Sequence, residues 1–225
     1  MSYVLNYFKR LGRKEPYIRF LKTLKYSLHV IFHPADGFWD LTHAKRGSYS
    51  AANFIVFLAL LTHVWKLRYT NFLFLDVQWQ KVNIFLEFAT ILLPLAIFCI
   101  CNWAVTTLFD GKGRLGQVYM GTAYALTPYV LIQIPMIILS NFVTIEEGAF
   151  YTVFNDLSLL WCLLLIYMAM MMIHSYSAGK TLLFLVITLF GMLVFIFIML
   201  LFFSSISQGV AYFVSLAKEI MFRLN

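Results

Sequence analysis

Five stretches of the chain consist almost entirely of apolar residues, and short polar segments separate them. A run of about 20 apolar residues can cross the roughly 30 Å hydrocarbon core of a bilayer as one helix. The first run is short, and we expect Lys66 and Arg68 to complete it by reaching to the membrane surface beside Trp65. The pattern predicts an all-α membrane protein with a bundle of about five transmembrane helices. The predicted spans are 48–65, 82–109, 117–139, 157–173 and about 181–203.

Two flanking segments are amphipathic. Before the first span, apolar side chains recur at helical spacing while basic ones face elsewhere, which predicts an N-terminal helix lying in the membrane interface. Packing of either flanking helix on the bundle is the alternative. The N-terminal stripe is Tyr17, Phe20, Leu21, Leu24, Leu28 and Ile31, with Arg19, Lys22 and Lys25 off it; the C-terminal stripe is Val210, Phe213, Val214, Ala217, Met221 and Leu224.

The chain therefore divides into a basic N-terminal segment (1–47), a five-helix transmembrane domain (48–206) and an amphipathic C-terminal segment (207–225). Nine of the 17 Lys and Arg residues precede the first span. The loop between the third and fourth spans carries Glu146 and Glu147 but neither Lys nor Arg. Because cytoplasmic loops are enriched in Lys and Arg, we expect the N-terminus in the cytoplasm and the C-terminus outside.

Composition excludes a water-soluble fold. The chain is 62% hydrophobic and 12% charged, against about 45–50% and 25% in a typical soluble domain. The net charge of +7 lies mainly outside the apolar runs, which favours anionic membrane lipids over nucleic acid as a partner. The three cysteines, Cys99, Cys101 and Cys162, all lie within apolar runs and are interpreted as small buried hydrophobic residues.

The sequence has none of the phosphate-loop, zinc-protease, serine-hydrolase or Cys-x-x-Cys motifs of common enzymes. We therefore expect no enzyme activity, no catalytic residue, no cofactor and no metal. One glycine-rich turn, Gly111-Lys112-Gly113, could hold a phosphate or a lipid headgroup with its backbone amides and lysine. A plain tight turn between two helices explains the same residues.

Polar side chains inside apolar spans are costly and are functional candidates by default. Glu87 lies near one end of the second span, where it could form a proton or cation site or simply reach water. His63 lies near the corresponding end of the first span and could pair with it. Asn102 and Gln133 are interpreted as interhelical hydrogen-bond partners.

The third predicted span carries Pro128 and Pro135, seven residues apart and so on nearly the same face. Each proline removes a backbone hydrogen bond, so the sequence predicts a kinked helix. A transport site at the break is the alternative, since broken helices occur at such sites.

The segment from Gly121 through Tyr124 and Pro128 to Tyr129 resembles the start of the middle span in the Yip1 family. The resemblance extends over about residues 20 to 222 and is nearest to the bacterial branch. It implies a five-helix membrane domain, and its bacterial character implies a location in the plasma membrane. Family members in eukaryotes are tied to Rab GTPases and vesicle traffic, but their Asp-Leu-Tyr-Gly-Pro element is missing here. The other matching elements are His33-Pro34-x-Asp36-Gly37-Phe38, Asn102-Trp103, Gly111-Lys112-Gly113, and Ser140-Asn141 followed by Glu146 or Glu147.

Three functions remain open at this stage. The first is a non-enzymatic scaffold or accessory partner of another membrane protein or complex, indicated by the lack of catalytic motifs and the basic surface helix. The second is a small transporter or channel, indicated by Glu87 and the two prolines. The third is a lipid-handling protein. The sequence gives no oligomeric state.

Overall fold

The computed structural model describes residues 14–44, 46–75, 82–144 and 146–224. Its helices include five segments long and apolar enough to cross a membrane, at Tyr49–Tyr69, Ile84–Thr107, Leu115–Leu139, Gly148–His174 and Ala178–Arg223. The predicted all-α, five-span architecture is confirmed. Residues 1–13 of the basic segment and Lys81 of the first loop lie outside the described ranges.

The described part of the chain starts with a helical hairpin. Helix α1 (Lys14–Phe32) turns at His33 into the short helix α2 (Pro34–Thr42), where Pro34 occupies a first-turn position that needs no amide donor. Phe38 and Leu41 of α2 are buried against the bundle.

A helix, α1, lies where the amphipathic N-terminal helix was predicted, but its buried side differs from the predicted apolar stripe. Thr23, Ser27 and Val30 are buried against the bundle, whereas Leu21 and Leu28 are 44% and 42% exposed. Location of α1 in the membrane interface stays a prediction. The side chains of Tyr17 and Arg19, which the prediction included, lie outside the described part of the helix.

The next two helices begin at side-chain caps. Ser48 accepts a hydrogen bond from the Ala51 amide at the start of α3 (Tyr49–Tyr69), and Asn83 accepts from Phe85 at the start of α4 (Ile84–Thr107). Helix α3 continues past the predicted end at Trp65 and includes Lys66 and Arg68.

The third span is broken, as the two prolines predict. Helix α5 (Leu115–Ala125) ends at Leu126 and α6 (Thr127–Leu139) follows. Pro128 has no amide to donate to the Tyr124 carbonyl, and the Thr127 hydroxyl donates to that carbonyl at 2.7 Å instead. The break therefore leaves this carbonyl paired inside the bundle. This is the most buried of the five spans.

The last two helices are longer than the apolar runs. Helix α7 (Gly148–His174) begins well before the predicted start at residue 157, because Asn155 has polar partners on other helices and does not end the helix. Helix α8 (Ala178–Leu224) runs through the predicted stop at Phe203. Its hydroxyls after that point bond within the helix, as in Ser205 to the Leu201 carbonyl.

The core forms where α5 and α6 pack against α2, α3 and α7. Helix α8 packs mainly on α4, and the spans of α4 and α8 are each only 11% buried. These two helices therefore form the periphery, with apolar surfaces facing lipid or a partner. The buried apolar core includes Val30, Phe38, Ala52, Ile55, Val118, Tyr124, Leu165, Ala169 and Met170.

Candidate functional site

A chain of buried polar groups joins α4, α7 and α8 near the turn that follows α4. The Gly113 amide donates to Nδ1 of His174 at 3.3 Å, and His174 Nε2 lies 3.2 Å from Oδ1 of Asn102. Asn102 Nδ2 donates to Oγ1 of Thr188 at 3.2 Å, which donates to the Phe184 carbonyl at 2.7 Å. We call this set the His174 network, and the side of the bundle that carries it the Gly111 end.

The hydrogen bonds of the His174 network fix the state of the imidazole. An amide N–H can only donate, so Nδ1 of His174 accepts and carries no proton. Nε2 then carries the proton and donates to Asn102. His174 and Asn102 are each 1% exposed, so a neutral histidine satisfies both neighbours without burying a charge.

The two glycines of the predicted phosphate turn are required by close packing. A Cβ on Gly113 would lie 2.6 Å from Cε1 of His174 and 2.6 Å from Cγ2 of Ile173. A Cβ on Gly111 would lie 2.8 Å from the Tyr176 hydroxyl and from the Thr106 carbonyl oxygen. The turn therefore lies directly on α4 and on the end of α7.

The same turn uses its glycine amides internally. Gly111 donates to the Thr106 carbonyl at 2.9 Å and Gly113 donates to His174. Asp110 precedes them with a left-handed φ of 57°, and the Tyr176 hydroxyl donates to the Phe109 carbonyl at 2.9 Å. The exposed Lys112 side chain is the part of this turn that could reach an anion. These contacts favour a turn that packs against the bundle over a site in which its backbone amides bind a phosphate.

Tyr124 forms a second buried polar contact, between the N-terminal hairpin and the bundle. It is fully buried, and its hydroxyl donates to the Thr23 carbonyl at 3.3 Å and accepts from the Ser48 amide at 3.4 Å. Thr23 and Ser48 also pair through their hydroxyls at 3.2 Å. Tyr124 thus holds α1 against the start of α3.

His63 and Glu87 meet as the sequence suggested. Nε2 of His63 lies 3.0 Å from Oε2 of Glu87, and the two side chains are 23% and 25% exposed. Glu87 lies in the first turn of α4, so the pair joins α3 to α4 near the end opposite the His174 network. Whether it binds a proton or cation stays a prediction.

A third polar cluster lies between α3, α6 and α7, toward the same end as Glu87. Lys66 and Gln133 both donate to Oδ1 of Asn155, the Gln133 bond measuring 2.9 Å. Gln133 also donates to Oγ of Ser158 at 2.8 Å. Because the Lys66 ammonium requires an oxygen, it fixes the Asn155 amide and in turn the Gln133 amide.

This orientation leaves Oε1 of Gln133 buried without a hydrogen-bond partner. The hydroxyls of Thr70 and Tyr151 are the other two such atoms among the residues that the structure describes. Thr70 follows α3 by one residue and Tyr151 lies in the first turn of α7, so all three belong to elements that meet at this end.

The remaining predicted residues do not join these clusters. Pro128 is buried near the α5–α6 break, whereas Pro135 is exposed on α6. Glu146 and Glu147 are exposed just before α7. The cysteines Cys99, Cys101 and Cys162 are free and buried, as predicted. No group of three metal-ligating side chains forms within the described ranges.

Sequence reasoning missed His174, Thr188 and Asn155. His174 ends an apolar run and looked like the start of a polar break, whereas Thr188 is one of many hydroxyls in apolar helices. A polar residue at the edge of a span is a usable signal only when its partner on another helix is known.

Comparison with known proteins agrees with the architecture. The family model described as the Yip1 domain matches residues 28–213. Neither the curated proteins nor the solved structures that were searched gave a match. The match spans most of the chain and includes the end of α1, all of α2, the first four spans, most of the fifth and the residues of the His174 network. The protein is a multi-pass membrane protein and belongs to the Yip1 family.

Proposed function

We propose that this protein is a non-enzymatic scaffold or accessory subunit of a membrane complex, and that its partner binds along α8. The observation that carries this proposal is the length of α8 and the apolar surface that it leaves uncovered. The motif residues add support, because Asn102, Gly111 and Gly113 are engaged in packing and internal hydrogen bonds.

Helix α8 is much longer than one membrane crossing. Its 47 residues span about 70 Å at 1.5 Å per residue, whereas about 20 residues cross the hydrocarbon core. The described side chains after Phe203 are exposed, apart from the half-buried Gly209. Roughly half of the helix therefore extends beyond its own bundle.

That extension has an apolar stripe, which we call the α8 stripe: Val210, Phe213, Val214 and Met221, at helical spacing. Phe213 is 70% exposed and Met221 is 65% exposed. The charged residues Glu219 and Arg223 lie off the stripe and pair with each other at 2.6 Å. A helix with one apolar side and one charged side is stable when the apolar side is covered.

The membrane half of α8 also has an uncovered groove. Near Gly191 the two helices α4 and α8 approach closely, since a Cβ there would lie 3.8 Å from Val105. Toward the start of α4, an apolar groove of about 800 Å³ separates the two helices. Leu86 and Pro94 line it on α4, and Phe203 lines it on α8. A partner helix lying in this groove could continue along the α8 stripe.

The test is partner capture with a matched pair of variants. Phe213→Asp places a charge on the α8 stripe, and Tyr212→Asp places one at a similarly exposed position (63% against 70%) on the opposite side of the helix. Losing a central aromatic contact typically weakens a complex by 2 kcal/mol or more, about 30-fold. We expect co-purification of a partner in mild detergent to be lost with Phe213→Asp and retained with Tyr212→Asp.

The proposal fails if the unmodified protein is repeatedly recovered alone under conditions that preserve other membrane complexes. It also fails if the two aspartate variants reduce capture equally. Photo-crosslinking from position 213 in native membranes distinguishes a protein partner from lipid, since lipid adducts alone would assign the stripe to the membrane surface.

A transport function is the second candidate. The three unpaired buried polar atoms, of Gln133, Thr70 and Tyr151, lie on or beside helices that also carry Lys66 and Pro135. Unpaired groups in a membrane bundle require water or a ligand to satisfy them. Flux in proteoliposomes that is absent, or is unchanged by Glu87→Gln and Gln133→Met, eliminates this candidate.

We further propose a plasma-membrane location with the N-terminus in the cytoplasm and the C-terminus outside. The distribution of Lys and Arg along the sequence supports this orientation. The native cysteines are buried, so a single cysteine introduced at Glu146 or Ser175 can be labelled selectively. We expect an impermeant maleimide added outside the cell to label position 146 and not position 175; the reverse result refutes the orientation.

A further inference from the structure

We propose that α1 and the bundle together bind an anionic phospholipid, with an acyl chain in a groove beneath α1 and the phosphate at Lys25. This inference rests on α1 and is independent of the partner surface on α8.

The groove lies between α1 and the outer surface of α3 and α6. Its volume of about 470 Å³ is within the range of small-ligand sites. Apolar side chains from all three helices line it, so an occupant would contact three elements at once. These side chains are Leu24, Leu28, Ile55, Leu58, Val130 and Leu131.

Specific contacts hold the groove in this shape. The hydroxyls of Thr23 and Ser48 lie 3.2 Å apart, and the Tyr124 hydroxyl donates to the Thr23 carbonyl. The Phe20 and Phe54 rings pack edge to face, with centroids 5.5 Å apart. Helix α1 is therefore fixed to α3 and α5 independently of any occupant.

The depth of the groove indicates what can occupy it. Ile55 and Leu58 follow the α3 cap Ser48 by seven and ten residues, which places them about 10 and 15 Å along the helix from the membrane-surface end. Hydrocarbon reaches that depth, so the occupant must be apolar there.

The charge at the groove is complementary to an anionic headgroup. Lys25 lines this groove, and Lys22 lies nearby on the same helix. Lys22 and Lys25 are exposed. The groove has no carboxylate among its lining residues in the described part of the chain. An occupant that is apolar at Ile55 and anionic at Lys25 has the chemistry of an acidic phospholipid.

The test is native mass spectrometry of the full-length protein in detergent, titrated with dioleoyl phosphatidylglycerol or dioleoyl phosphatidylcholine. A lysine near an anionic lipid surface contributes about 1 kcal/mol, a factor of about five. We expect phosphatidylglycerol to bind more tightly than phosphatidylcholine. Lys25→Gln should weaken phosphatidylglycerol about fivefold and phosphatidylcholine by less, because the choline cation offsets the charge of its phosphate. Lys25→Arg should retain tight binding of phosphatidylglycerol.

Two further variants make the site specific. Lys218→Gln removes the same charge from the exposed end of α8 and should have no effect, whereas Leu28→Asn should weaken both lipids. The proposal is overturned by equal binding of the two lipids, by unchanged binding in Lys25→Gln, or by an equal loss in Lys218→Gln, which would reflect general charge attraction. Unchanged thermal midpoints of the variants exclude unfolding as the cause.

Discussion

Substitution of Gly113 tests whether the glycine turn is a packing element of the bundle. In Gly113→Ala the new Cβ would lie 2.6 Å from both His174 and Ile173, so the turn must move away from α7. Movement of the turn also breaks the 3.3 Å hydrogen bond from the Gly113 amide to His174. That bond starts the His174 network, so its loss leaves a buried imidazole nitrogen without a donor.

The magnitude follows from these two contacts. Overpacking in a rigid core costs about 2 kcal/mol, and a lost buried hydrogen bond costs about 1 kcal/mol more. A loss of about 3 kcal/mol corresponds to a fall of about 6–12 °C in the thermal midpoint of a chain of this size.

The assay is thermal unfolding in detergent, followed by circular dichroism, with Gly179→Ala as the matched control. A Cβ at Gly179 meets nothing within 4 Å, and it lies in the first turn of α8 on the same side of the bundle. We expect the control to be unchanged or stabilised by up to about 1 kcal/mol. If Gly113→Ala and Gly179→Ala unfold at the same temperature, the packing role of the turn is refuted.

Three other experiments have expected outcomes. Asn102→Leu should lower the thermal midpoint by several degrees, since it leaves His174 with an unpaired buried N–H at about 1–3 kcal/mol; an unchanged midpoint would contradict the network. A double-mutant cycle on His63→Ala and Glu87→Ala, measured by denaturant unfolding, should give a coupling of about 1 kcal/mol, and additive effects would mean that the pair contributes nothing. Gly209→Pro should break the free half of α8 at a local cost of about 3 kcal/mol and reduce partner capture without changing the bundle midpoint; a lower bundle midpoint would show that this half supports the fold.

The resemblance motifs have a physical explanation in the structure. Gly37 lies against Val30, with 3.0 Å between a Cβ built there and the Val30 Cα. Gly121 packs against Ile173, and Tyr124 is fully buried. The short motifs of the sequence are therefore largely positions where helices approach closely or where a buried polar group finds its partner.

Much of the fold could be predicted from local pattern because a membrane imposes simple rules. Apolar runs of sufficient length predict helices, and Pro128 and Pro135 predict a kinked third span, whose break the structure places at Leu126 beside Pro128. Helix ends were harder to predict. Helix α7 starts early because Asn155 is paired with Lys66 and Gln133 on other helices, and a sequence read one segment at a time cannot contain that information.

For the candidate sites too, the sequence identified individual residues and the structure added their partners. The sequence marked Asn102, Glu87, Gln133 and the glycine turn, because each is a polar or flexible residue where an apolar or regular one is usual. The structure assigned the partners: His63 for Glu87, His174 for both Asn102 and Gly113, and Asn155 for Gln133.

By itself, the sequence determined that this protein has five membrane-spanning helices, because transfer of an apolar helix into lipid depends on composition and length alone. Only the tertiary structure decided which polar groups meet, which glycines are required by contact, and that half of α8 is left uncovered. Those features depend on distances between helices that are far apart in the chain. The hydropathy of one segment does not show which other helices pack against it.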